Sequence, residues 1–141
     1  MSNQTAIIRD VTLNWAHLVD PVNPFGADQW DIQLTTEDED KAKVFSSLGL
    51  KVKENGGVYS VNLKRKAVNA KGAPNDPPEV VDGDQNKMDS SIVRKLGNGS
   101  KGNVKVFTYE YNHAGRSGTG AILVGVQVTE FIEYENEGAS W

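Results

Sequence analysis

The 141-residue chain contains no cysteine. Disulfides and thiolate metal sites are therefore excluded, and a reducing compartment is compatible with the sequence. Histidine is scarce, with only His17 and His113, and neither stands in a metal-ligand spacing such as HExxH. No apolar run is long enough for a membrane helix, and the apolar stretches near the end have strand length. The opening residues 1–10 carry neither a charged segment nor an apolar run of signal-peptide length, so no secretory signal is expected. GxSxG, Walker A and GxGxxG patterns are all missing. The Gly97–Gly102 segment has the glycines of a phosphate loop but not its spacing, and it leads into a strand rather than a helix.

Basic residues are missing from the last 25 positions, which hold 4 acids, and residues 1–50 hold 3 basic against 8 acidic groups. Residues 51–116 hold 12 basic and 7 acidic groups. The formal net charge of −4 thus conceals a basic middle between acidic ends. A polyanion responds to that local potential rather than to the net charge.

Period-two alternation predicts strands at Val11-Leu13-Trp15, Trp30-Ile32-Leu34, Tyr59-Val61-Leu63, 103–111 and 121–134. Asp20-Pro21 and residues 23–26 read as loop. Thr36 and Glu39 form a capping-box pattern ahead of Ala42, Phe45 and Leu48 at helical spacing, with Gly49 ending the run. Residues 67–102 are rich in Gly, Pro, Asn, Asp and Lys and read mostly as inserted loop, with Val80-Val81 as a short pairing segment. Five strands and one helix predict a mainly β protein: an OB-fold, the five-stranded Greek-key barrel, with long inserted loops. Residues 1–132 form the expected domain and 133–141 a short acidic tail ending in Trp141.

Binding is favoured over catalysis. Lys105, Phe107, Tyr109 and Tyr111 share one face of a strand, and Val104, Val106 and Thr108 share the other. If the valines line the core, the aromatics form a platform on which unpaired bases stack, with a lysine beside it for phosphate. Trp15, Tyr59 and Trp30 are further aromatic candidates. Lys64, Arg65, Lys66, Lys71, Arg94, Lys95, Lys101 and Arg116 are the remaining candidate phosphate contacts, since they cluster near strand ends and loops. In the tail, Glu133, Glu135, Glu137 and Trp141 offer an acidic-aromatic hook for a protein partner or an occupant of the basic groove. The acids from Asp76 to Asp89 match no EF-hand spacing, so no metal and no other cofactor is expected. A magnesium-dependent nuclease would have to use those same acids.

Several segments carry a family resemblance in this order: residues 14–18 (Asn-Trp-Ala-His-Leu) with Asp20-Pro21, residues 78–83 (Pro-Glu-Val-Val-Asp-Gly), residues 96–100 (Leu-Gly-Asn-Gly-Ser) and the closing strand 120–128. From about Val11 to Tyr134 the chain resembles the short single-stranded-DNA-binding proteins of tailed phages, including the helix-destabilising proteins of short-tailed coliphages. The resemblance implies an OB-fold with added loops, sequence-tolerant binding of single-stranded DNA and an acidic C-terminal tail ending in an aromatic residue. It also implies a role in phage DNA replication and recombination, in the cytoplasm of the infected bacterium, with replication proteins as tail partners and a homo-oligomer left open. The C-terminal segment 130–141 is short, with four glutamates in place of a long acidic run. A phage virion structural or assembly protein without DNA binding is the alternative reading.

Overall fold

The computed structural model describes residues 4–23, 28–68, 71–113 and 115–133; of 111–113 and 116 only the backbone is described. The elements run β1 (Gln4–Val22), β2 (Gln29–Thr36), α1 (Glu39–Ser47), β3 (Lys53–Asn55), β4 (Val58–Lys66), β5 (Glu79–Val81), α2 (Ser90–Val93), β6 (Ser100–His113) and β7 (Arg116–Glu130). They form a sheet of order β3-β4-β2-β1-β6-β7-β5. All neighbours are antiparallel except β5, which runs parallel to β7 through Val80 and Val126. Long β1 makes the topology possible: its first half pairs with β6 and its second half with β2. The sheet curls until β4 lies against β7. The strands β4-β2-β1-β6-β7 are thus the Greek-key set of an OB-fold.

The inner face is apolar wherever the strands alternate. Ile8, Val11 and Leu13 of β1, Ile32 and Leu34 of β2, Val61 and Leu63 of β4, Val104 and Val106 of β6, and Leu123, Val126 and Val128 of β7 make one core. The helix α1 adds Phe45, which is fully buried among them, while Leu48, Leu50 and Val52 pack against its margin. Gly49 ends the helix at φ +83°, and a Cβ there would lie 2.3 Å from the backbone oxygen of Thr119. Only glycine fits so close to β7 in that conformation.

Several expectations are corrected. Thr36 is not the N-cap: it is still paired with Tyr59 as the last residue of β2. Asp38 caps instead, its side chain accepting the Asp40 N–H at 2.9 Å. β1 begins seven residues before the predicted strand and runs through Asp20-Pro21 to Val22. Trp15 does not share the inward face of Val11 and Leu13. A bulge follows Asn14, Trp15 has φ +49°, and its side chain is 62% exposed. Residues 67–102 hold, besides β5 at the expected Val80-Val81 pairing segment, a second helix, α2, capped by Asp89, whose side chain accepts the Ser91 N–H. Two short strands, β3 and β5, bring the count to seven, and β7 ends at Glu130.

Candidate nucleic-acid interface

The orientation of β6 decides what the aromatic ladder can do. Val104 and Val106 are fully buried and Thr108 nearly so. Lys105, Phe107 and Tyr109 therefore point out of the barrel, with the lysine exposed and both rings half-buried. Their neighbours follow from register: Ile7 and Gly125 flank Lys105, Thr5 and Ile122 flank Phe107, and Gly120 lies opposite Tyr109. The Tyr109 ring lies over Gly120, where a Cβ would come within 2.5 Å of Cζ. Gly120 is thus the seat of that ring. If the ladder stacks bases, Gly120→Ala should lift the ring and lower affinity for a single strand by roughly the 1–3 kcal/mol of one stacked base. The melting temperature should move little, since only the end of one side chain must shift. Unchanged binding with a displaced ring would show that the seat is irrelevant. The backbone of Tyr111 pairs with Gly118, extending the ladder; its side chain, and that of Arg116, lie outside the described residues.

The basic run on β4 splits between two faces. Lys64 and Lys66 are exposed on the outer side, beside Asn62 and Ser60. Arg65 alternates to the other side, opposite Trp30, and its Nε donates to the Asp76 carbonyl at 2.8 Å. This arginine ties Asp76 to the barrel. Trp30 is itself buried, its indole N–H donating to the Val19 carbonyl at 3.1 Å, so it offers no stacking surface. Tyr59 alternates with Val61 and Leu63 on the inward side and is half-buried. One acid stands within the outer β2–β4 face: Asp31, opposite Lys64, is 2.7 Å from His17 Nδ1 and accepts from Gln29 Nε2 at 3.1 Å.

The loop cations are not equivalent. Arg94 pairs with Asp20 through two contacts of 2.9 and 3.3 Å. Hydrogen bonding from that guanidinium holds the Asp20 carboxyl below its ordinary value. A depressed carboxylate contributes stability above the ordinary aspartate pKa of 3.8 and loses it as pH falls through the folded value. The pair is exposed, so the contribution to stability is small. Arg94→Ala should return the Asp20 titration, followed by carboxyl NMR, toward 3.8; an unmoved titration would deny the pairing in solution. Lys95 lies 3.9 Å from Glu133. Nearby, Ser100 Oγ accepts the Ile132 N–H at 2.9 Å, fixing where the chain leaves the barrel. Lys71, between β4 and β5, is exposed. Lys101 is exposed too, and lines a broad cleft of about 710 Å³ with Lys41, Asp10 and Glu130. Glu135, Glu137 and Trp141 lie outside the described residues.

No group of three His, Cys, Asp or Glu side chains that could hold a metal occurs among the described residues. Asp82 instead folds its own loop, accepting the N–H groups of Asp84 and Asn86 at 2.9 and 3.0 Å. Two residues that the sequence reading passed over join the outer face of β6: Ile7, 46% exposed, and Arg9, exposed at a bulge in β1. Their alternation is visible in the sequence, but the bulge after Ile8 interrupts it before the Val11 pattern begins.

The architecture has solved counterparts. The crystal structure of gp2.5, a single-stranded DNA-binding protein encoded by bacteriophage T7, matches with a TM-score of 0.70 and 17% identity, over 96% of this chain and 91% of that one. The fold is shared with phage single-stranded-DNA-binding proteins. The single-stranded DNA-binding protein from bacteriophage Enc34, in complex with ssDNA, matches with a TM-score of 0.66 and 11% identity, over 92% of this chain and 88% of that one. No family model matches the sequence, and no curated protein is significantly similar to it.

Proposed function

We propose that this protein binds single-stranded DNA without strong sequence preference and protects it during phage DNA replication and recombination, in the cytoplasm of the infected bacterium. The outward ladder of Lys105, Phe107 and Tyr109 carries this reading. Flat rings on a rigid strand, with a cation beside them, suit bases whose π-faces are uncovered and whose phosphates need a counterion. Duplex DNA keeps its bases stacked and cannot use such rings. The shared fold with the two phage proteins supports the same reading.

Lys64, Lys66, Lys101 and Lys105 are the phosphate contacts in this proposal. Lys71 and Arg116 extend the basic surface, whereas Arg65, Arg94 and Lys95 serve structural or intramolecular roles first. Tail residues Glu133, Glu135, Glu137 and Trp141 are the proposed partner-binding segment, with replication proteins as partners. No catalytic step is part of the proposal, and none of its contacts needs a metal or cofactor.

The test is a titration of a fluorescent oligo-dT at several salt concentrations, with a duplex of equal length as control. Each phosphate neutralised on a single strand adds about 0.7 to the slope of log affinity against log salt. Four contacts therefore predict a slope of about −2.8, a loss of roughly 50-fold between 50 and 200 mM salt. Absence of binding at low salt would refute the proposal, and a slope near zero would refute its electrostatic part.

A further inference from the structure

Beside the aromatic ladder the same outer face carries a groove of about 270 Å³, between β1, β6, β7 and the parallel strand β5. Ile7 and Val124 line it as apolar surface, and Arg9 and Lys105 supply charge. Glu79 is the one acid among its lining residues, so the groove is net positive. Among the described residues neither Arg9 nor Lys105 forms an ion pair.

Arg9 stands there because β1 is bent. The register slips between Ile8 and Val11, and Asp10 has φ +54°, an unusual conformation for a residue other than glycine. Two contacts hold this bulge. The Asp10 N–H donates to Asn103 Oδ1 at 2.9 Å, and Lys41 Nζ donates to the Asp10 carbonyl at 2.7 Å. Asn103 is held in turn, donating to Gln127 Oε1 at 2.9 Å. A backbone conformation fixed from several sides is a common way to aim a side chain at a ligand. Here it lets Val11 return to the core while Arg9 stays on the outer face beside Lys105.

We infer that this groove is a nucleotide pocket for the bound strand. One nucleobase lies against Ile7 and Val124, and its phosphate is held between Arg9 and Lys105. The inference rests on the single-stranded-DNA reading above and extends it, because Lys105 belongs to both surfaces. From Lys105 to Tyr109 the strand advances about 13 Å, so the pocket continues the stacking platform rather than forming a separate site.

The oligo-dT titration across salt tests this on the full chain, with Arg9→Ala, Arg9→Lys, Ile7→Ala and the double variant Phe107→Ala/Tyr109→Ala. Arg9→Ala should bind about 10-fold more weakly, with the salt slope shallower by at most about 0.7, since Lys105 still faces the same phosphate. Arg9→Lys should keep the slope, since the charge remains. Ile7→Ala should weaken binding several-fold with the slope unchanged, because a base contact releases no counterion. Thermal melts of all variants control for folding, and the Arg9 side chain does not itself hold the bulge. If Arg9→Ala keeps wild-type affinity and slope while the double variant has lost affinity, the pocket is refuted and single-strand binding stands. If the wild type binds no oligonucleotide at low salt, both fall. Displacement by free dTMP at micromolar concentration would assign the groove to a soluble nucleotide and overturn the inference as well.

Discussion

Replacing Phe107 and Tyr109 together with alanine is expected to lower affinity for oligo-dT by about 2–6 kcal/mol, a loss of at least roughly 30-fold. The figure follows from two rings, each stacking one base at about 1–3 kcal/mol. Both rings are half-buried, so part of their surface already packs on Thr5, Ile122 and Gly120, and their removal also costs some stability. A leucine pair separates the two effects. Phe107→Leu/Tyr109→Leu keeps apolar cover over β7 but presents no flat π-face. The leucine variant should therefore melt close to wild type and bind nearly as poorly as the alanine variant. Wild-type affinity with leucine would mean that these positions only support the barrel.

The largest expected loss of stability comes from α1. Phe45→Ala should cost about 3–5 kcal/mol, against a total that for most domains is about 5–15 kcal/mol. Phe45 is fully exposed to the core and not at all to solvent, and the other buried residue of α1 is the small Ala42. Its removal leaves a cavity that the strands cannot close, because β2 and β4 are fixed by their ladder from Gln29–Lys66 to Thr36–Tyr59. In a domain of this size the melting temperature should fall by roughly 10–15 °C. Val44, one position earlier and 46% exposed, provides the contrast: Val44→Ala should stay within about 0.5 kcal/mol. A cost below 1 kcal/mol at Phe45 would show that the helix is not what fills the barrel.

Sequence periodicity located the main strands because each has one face in the core. The alternation at Ile32 and Leu34, at Val61 and Leu63, and at Val104 and Val106 survives intact in the structure. The same alternation defined the two faces of β6 but could not say which was buried, since valines and aromatics are both acceptable core residues. The burial of Val104 and Val106 in the folded barrel settles that question. Bulges were illegible for a physical reason: they shift the period by one residue without any compositional mark. Trp15 was therefore placed with Leu13, and Ile7 and Arg9 were not connected to the strand that follows them. The Lys64-Arg65-Lys66 run misled in the opposite way. Adjacent strand residues face opposite sides, so three consecutive cations cannot all meet one ligand. Short α2 is concealed by a composition rich in Gly, Pro and Asp, whereas β5 was legible as Val80-Val81 but its parallel partner β7, distant in sequence, was not.

The pairing of β1 also sets an order of events during synthesis. Gln4 meets Thr108, whose hydroxyl donates to its carbonyl across a separation of 104 residues. At about 5–20 residues per second, the first half of β1 waits roughly 5–20 seconds for β6 to leave the ribosome. The hairpin of β6 and β7, by contrast, can form as soon as both strands have emerged. Until β6 emerges Ile7 and Ile8 have no strand to pair with, whereas β2 and β4 are both already available to each other. Closure of this barrel therefore depends on its C-terminal half, and the first half of β1 can find its place only after β6 has been made.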